Sequence, residues 1–163
     1  MSPNLNIIST RQFPNCSLIN NHYQNLEKIM TAPSVFRIAD IQDRIDNLPE
    51  NGTYIKPFVT TAISESMAGG INCLNKISVP WDLTCDEMIY CLQGTFRLVV
   101  DEIGYELNPG DLMFVPKDNH VKYECDDKCV IFYTAYPVDW KQRAGITHVP
   151  GIDADEMPSP YAQ

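Results

Sequence analysis

An all-β, single-domain jelly-roll barrel is the fold this sequence predicts, and three observations carry it. From Thr53 onward roughly eight short β-runs rich in Val, Ile, Phe, Tyr and Thr follow one another at short, regular spacing, the pattern of an antiparallel barrel. Turn signals separate them: Asn51-Gly52, Gly94, Gly104 and the Asp126-Asp127-Lys128 triplet. A chain of 163 residues with 44% apolar composition buries a single core and shows no internal repeat.

Residues 1–50 form an N-terminal arm, rich in Asn, Ser and Pro at first, with a helical turn or two expected at HYQNLEKIM. A second short helix is expected from Ile38 to Leu48, where Ile38, Ile41, Ile45 and Leu48 recur at three-to-four spacing and Pro49 stops it. The barrel occupies 51–140. TYIKPFVTTAI opens it, with Pro57 confined to an edge or bulge. Gly69-Gly70 should break the chain before INCLNKISV. EMIYCLQ and TFRLVVD flank Gly94 as a hairpin, EIGYELN turns at Gly104, and DLMFVP ends at Pro116. VKYEC and CVIFYTAYP read as a last hairpin. Residues 141–163 carry several prolines and little periodicity, a tail that is poorly ordered or wraps the surface.

Twelve basic against 21 acidic residues leave a formal charge of -9, which opposes nucleic acid and anionic membranes as partners. No run of about eighteen apolar residues and no basic-then-apolar leader is present, so the expected location is cytoplasmic. Six cysteines in such a compartment are expected to stay reduced as small buried hydrophobes; no C-x-x-C pair suggests structural zinc.

The stretch Val79–Pro116 organises the rest. Six residues separate Glu87 from Gly94 and five separate Gly110 from Pro116, spacings that resemble the two cupin motifs. Within that superfamily, PWDLTCDEMIYCLQGTFRLVVD, PGDLMFVPKDNH and IFYTAYPVDW resemble the EutQ-type cupins of ethanolamine utilisation over about residues 54–140. Asp118 stands where that family has Gly. The resemblance implies a dimeric barrel with an internal ligand pocket and brings an acetate kinase activity using ATP and magnesium. No glycine-rich phosphate loop in the sequence supports phosphoryl transfer independently.

Where typical cupins carry His-x-His and a later His, this chain has Trp81, Asp82 and Leu83, then Asn119, His120 and Val121. Glu87 is what remains of the usual metal set, and a divalent transition metal wants three or four ligands. No metal cofactor is therefore expected, with magnesium or calcium on Asp82, Asp86 and Glu87 kept as the alternative. If Glu87 faces inward, so should Ile89 and Cys91, while Met88 and Tyr90 face away unless twist or a bulge turns Tyr90 in.

A carboxylate inside an apolar barrel acquires a raised pKa, suited to acid/base work. Glu87 is the leading catalytic candidate, with Asp82 as second carboxylate and Tyr133 as hydrogen-bond donor. Structural pairing of Glu87 with Lys76 is the bland counterpart. Substrate contacts are assigned to Trp81, whose ring can hold an ammonium, and to Lys76, Tyr90, Tyr136 and His120. The surface is the expected place of His22 and His148, and Trp140 is expected to plug the barrel surface. Two classes of function result: an enzyme of lyase or isomerase type acting on a small polar metabolite, and a non-catalytic ligand-binding or assembly module. A homodimer is expected by analogy.

Overall fold

The structure, a computed structural model, describes residues 33–152. The chain divides into two units, Met1–Ser34 and Val35–Gln163, and the barrel belongs to the second. The HYQNLEKIM turns, Cys16 and His22 lie outside the described residues.

Among these residues seven strands form one continuous sheet that folds over into two facing layers: β1 (Gly52–Val59), β2 (Ala68–Leu83), β3 (Asp86–Gln93), β4 (Phe96–Val100), β5 (Ile103–Leu107), β6 (Leu112–Val115) and β7 (Asn119–Tyr136). All pairings are antiparallel. The two long strands β2 and β7 run through both layers. In one layer they join β1, β3 and β6 in the order β1-β2-β7-β3-β6; in the other, β7 also pairs β4, which pairs β5. This is the expected jelly roll.

Three local expectations are corrected. VKYEC and CVIFYTAYP are not a hairpin but one strand: Asn75 opposes Lys128 while Ile77 opposes Cys125, so the Asp126–Lys128 region is a bulge inside β7. On the partner strand Lys76 adopts φ +50 at the same place. Gly69 and Gly70 do not break the chain either; both lie inside β2. Gly70 is there for closeness, since a Cβ would sit 2.2 Å from Lys56 O and 2.9 Å from Pro57 Cα of β1. Finally, residues 141–152 do not merely wrap the surface. Following the N-terminal helix α1 (Gln42–Asp46) and the barrel, a short helix α2 (Trp140–Arg143) leads to Val149 and Ile152, which join the core.

Other expectations hold. Pro57 lies on the edge strand β1, at a register shift between Pro57 and Val59. Asp118 takes φ +67, the left-handed conformation for which Gly is the easy choice and Asp a tolerated one, while its N–H donates to Leu83 O at 2.7 Å.

The core follows from strand alternation. Ile89 and Cys91 of β3, Phe96 and Leu98 of β4, Val121 of β7 and Leu74 of β2 are all essentially buried between the layers. On the outer face, the 3-10 helix Ile38–Ile41 and α1 place Ile41 and Ile45 on Tyr54, Ile71, Cys73 and Val130. Each such side chain contributes about 1.5–3 kcal/mol. The end of α1 is fixed by Lys128 Nζ, which donates to Ile45 O and Asp46 O at 3.0 and 2.8 Å, and Asn75 Nδ2 donates to Leu48 O. Beyond this helical cover no described element lies on the same outer face: Met88, Tyr90, Leu112, Phe114, Phe132 and Tyr136 are exposed. All five described cysteines are buried and free of disulfides, and burial raises the Cys73 thiol to about 11.

Adding one methyl at Gly70 should force β1 away from β2. Gly70→Ala is expected to cost more than about 2 kcal/mol in urea unfolding. A loss below about 0.5 kcal/mol, the range of an ordinary surface change, would contradict the close β1–β2 approach.

Candidate functional site

A cavity of about 70 Å³ lies between the layers. It draws Ile55 and Thr53 from β1, Asn72, Leu74, Val79, Trp81 and Leu83 from β2, Glu87 from β3, and Tyr123, Tyr133 and Ala135 from β7. Trp140, Val149, Pro150 and Ile152 close it, with Ile152 bridged to Ile55 and Gly151 O accepting from Ile55 N at 2.6 Å. The indoles of Trp81 and Trp140 meet edge to face at 6.3 Å.

Glu87 enters this cavity because β3 alternates: Glu87, Ile89 and Cys91 are buried while Met88 and Tyr90 are exposed. Its side chain is 8% exposed and accepts a short hydrogen bond from Tyr123 Oη, which reaches across from β7. Burial pushes the Glu87 carboxyl up to about 7, with the Tyr123 hydrogen bond opposing weakly. The phenol responds in kind: burial and then the Glu87 charge raise Tyr123 well above its ordinary value. Burial also lifts the neighbouring Cys85 thiol to about 12, Glu87 adding to the effect.

Of the residues singled out from sequence, the structure brings Glu87, Tyr133 and Trp81 together on this cavity and leaves five outside it. Asp82 follows Trp81 on β2 and so turns outward, where His120 Nδ1 lies 2.5 Å from its Oδ1. His120 is exposed with it. Lys76 sits at the bulge, 2.5 Å from Glu50 rather than near Glu87. Tyr90 keeps the outward direction of its strand, and Tyr136 is 60% exposed. Trp140, expected at the surface, is part of the cavity wall; His148 is exposed as expected.

Two parts of the cavity escape the sequence reading. Tyr123 carries a signal, since it shares the inward alternation of Val121 and Cys125. The closing segment 149–152 carries none, having no periodicity.

The oxygen-ligated metal alternative does not assemble. Asp86 accepts from Lys117 N at 3.0 Å, Asp82 faces His120, and Glu87 is inside. The inward positions where typical cupins place histidines hold Trp81, Leu83 and Val121. Among the described residues no group of three His, Cys, Asp or Glu could hold a metal ion, and no helix is long and apolar enough to cross a membrane.

Burying a carboxyl predicts a pH dependence whose sign is fixed. Below about pH 4.5 the group is protonated in both folded and unfolded chains, and its neutral form is favoured inside. As pH rises toward about 7 the unfolded chain ionises first, so stability is lost over that window. The loss should be about 2–3 kcal/mol, and Glu87→Gln should remove it from the difference between unfolding curves at pH 5 and pH 8. Equal slopes in both proteins would place the titration elsewhere.

Comparison with known proteins agrees with this architecture. The family model described as ethanolamine utilisation protein EutQ matches residues 26–142. A protein of Clostridioides difficile strain 630 named acetate kinase EutQ is 28% identical over 60% of this chain and 63% of its own length. The protein of the same name from Salmonella typhimurium LT2 is 26% identical over 60% of this chain and 43% of its own. The chain thus spans less than two thirds of these relatives. The solved Clostridium difficile EutQ protein superposes with a TM-score of 0.53 at 27% identity, covering 54% of this chain and 70% of that one. With motifs, barrel and family model in agreement, the chain is a cupin and belongs to the EutQ family.

Proposed function

We propose that the barrel binds a small polar metabolite and acts on it by proton transfer at Glu87, as an enzyme of lyase or isomerase type. One observation supports this above others: a carboxyl raised to about 7 faces a largely apolar cavity. A group titrating there is both an adequate acid and an adequate base near neutrality. Tyr123 occupies Oε2 of Glu87 and orients the carboxyl, leaving the second oxygen for a substrate proton. Tyr133 lines the same cavity and adds a phenol to its wall. Trp81, Trp140 and Leu83 exclude water around the reacting centre.

Proton abstraction is detectable without knowing the physiological substrate. In D2O, small carbonyl and amino compounds incubated with the chain should exchange C–H for deuterium, followed by proton NMR. Glu87→Gln should slow the exchange by about 10²-fold or more. Exchange that persists in the variant would remove Glu87 from the chemistry.

The names of the curated relatives favour a second reading, ATP- and magnesium-dependent acetate kinase activity. The cavity itself offers no room for a nucleotide and, among the described residues, no cationic side chain to meet phosphate. Acetyl phosphate formed from acetate, ATP and magnesium above a catalyst-free control, and retained in Glu87→Gln, would establish the kinase reading at another site.

We also propose that the chain pairs with a second copy of itself through the bare outer face of β6, β3 and β7. Met88 opposes Phe114, and Tyr90 lies between Leu112 and Phe132, so the exposed side chains form continuous cross-strand rows. Six large side chains at about half exposure leave on the order of 600 Å² of apolar surface. That approaches the roughly 800 Å² per partner of a stable interface. Met88, Phe114, Tyr90, Leu112 and Phe132 carry no charge, while Asp86 opposite Tyr136 and Lys56 beyond Ile71 stand at the ends of the rows, so two acidic chains can meet there with their charges kept at the rim. Light scattering should give a dimer, and Phe114→Glu a folded monomer; a wild-type monomer at about 50 µM, where a micromolar Kd would leave mostly dimer, would refute the pairing.

A further inference from the structure

The wall of the Glu87 cavity selects for charge and for size. Among its sixteen described lining residues there is no Lys, Arg or His, and Glu87 is the one carboxylate. The remaining polar side chains are Tyr123, Tyr133, Cys85, and a Thr53–Asn72 pair that is hydrogen-bonded to itself at 3.2 Å. Everything else is aliphatic or indole. An anionic ligand would therefore meet a like charge in a largely apolar site with no cationic side chain among the described lining residues to compensate it. A neutral ligand would leave an ionised Glu87 without a counter-charge. A cation would supply one, and the chain's charge of -9 raises the local concentration of cations.

Building on the reading of Glu87 as the cavity's functional carboxyl, we propose that this site takes a small organic ammonium, its head on Glu87 and its alkyl body against Trp81, Leu83 and Trp140. About 70 Å³ admits on the order of five heavy atoms. Two indoles with centroids 6.3 Å apart add an attractive aromatic wall for a cation that no aliphatic pocket offers.

The ligand should couple to protons. The titratable groups facing Glu87 are Tyr123 and Tyr133 from β7 and Cys85 from the turn before β3; β1, the remainder of β2 and segment 149–152 bring none to the wall. Lys141 of α2 lies 5.5 Å from the Trp140 ring and is not among the described lining residues. Burial brings the Glu87 carboxyl to about 7, so ammonium affinity should rise roughly tenfold from pH 6 to pH 8.

Calorimetric titration of the full chain with n-butylammonium, 1-butanol and propionate, matched in size, reads the class directly on the wild-type protein. Butylammonium is expected to bind, roughly tenfold better at pH 8 than at pH 6, and more tightly than either competitor. Glu87→Gln should abolish the binding, and Leu83→Trp, which fills the cavity, should do so without touching the charge. Equal or tighter binding of the alcohol or the acid, or ammonium binding indifferent to pH, overturns the assignment. If the alcohol or acid binds in a Glu87-dependent way, the ammonium class falls while Glu87 remains the functional carboxyl. If no probe binds, the class falls as well, and the pH-stability difference between wild type and Glu87→Gln judges the carboxyl independently.

Discussion

The paired irregularity halfway along β2 and β7 is the constraint on which the barrel depends. Side-chain direction in a strand has period two, so one extra residue reverses every side chain beyond it. Before Lys76 the inward residues of β2 are Asn72 and Leu74; after it they are Val79, Trp81 and Leu83. The bulge lets each strand turn from one layer into the other while the core stays on the inside. Arg97 fastens the outside of that bend, donating to Glu124 at 3.0 Å and to both oxygens of Asp126, and Glu124 also accepts from Ser78. Without the bend, Trp81 would face solvent and Asp82 the core, an arrangement the cavity could not sustain.

Glu87 is the place where folding and function pull apart. A carboxyl enclosed by Leu83, Trp81 and Ala135 destabilises the fold whenever it is ionised. What holds it there is the hydrogen bond from Tyr123, which links β3 to β7 across the cavity and leaves no lone buried oxygen on that side. The same enclosure that costs stability brings the group's titration to neutrality. Asp82, beside His120 on the surface, has no such enclosure.

How much of this is legible in the sequence depends on what kind of signal each feature leaves. Strand alternation is local, so the inward set Glu87, Ile89 and Cys91 and the outward set Met88 and Tyr90 can be read from spacing alone. The spacing from Glu87 to Gly94 and from Gly110 to Pro116 points to the barrel. Bulges are invisible to that logic: the Asp126–Lys128 triplet has turn chemistry, and only the matching kink at Lys76, on a strand distant in the sequence, makes it a bulge instead of a hairpin. Asp82 misleads for a simpler reason, since two adjacent strand residues such as Trp81 and Asp82 cannot both face one cavity. Gly70 resembles a break because close backbone approach and chain reversal call for the same residue. The closing segment leaves no trace, as Val149 and Ile152 pack through tertiary contact with the core and Ile55 and not through any periodic pattern.

The exchange of histidines for apolar side chains explains why the surviving glutamate behaves differently from a metal ligand. In a metal-binding barrel a divalent ion would hold the carboxyl ionised and keep its pKa low. Here Trp81, Leu83 and Val121 occupy the inward positions instead, and they remove water without adding positive charge. The field around Glu87 is then made of low-polarity walls and one phenol. Desolvation dominates, the carboxyl titrates near neutrality, and the counter-charge that its ionised form requires has to come from whatever enters the cavity. In the proposed ammonium site, the preference for a cation follows from the apolar side chains at 81 and 83 as much as from Glu87 itself.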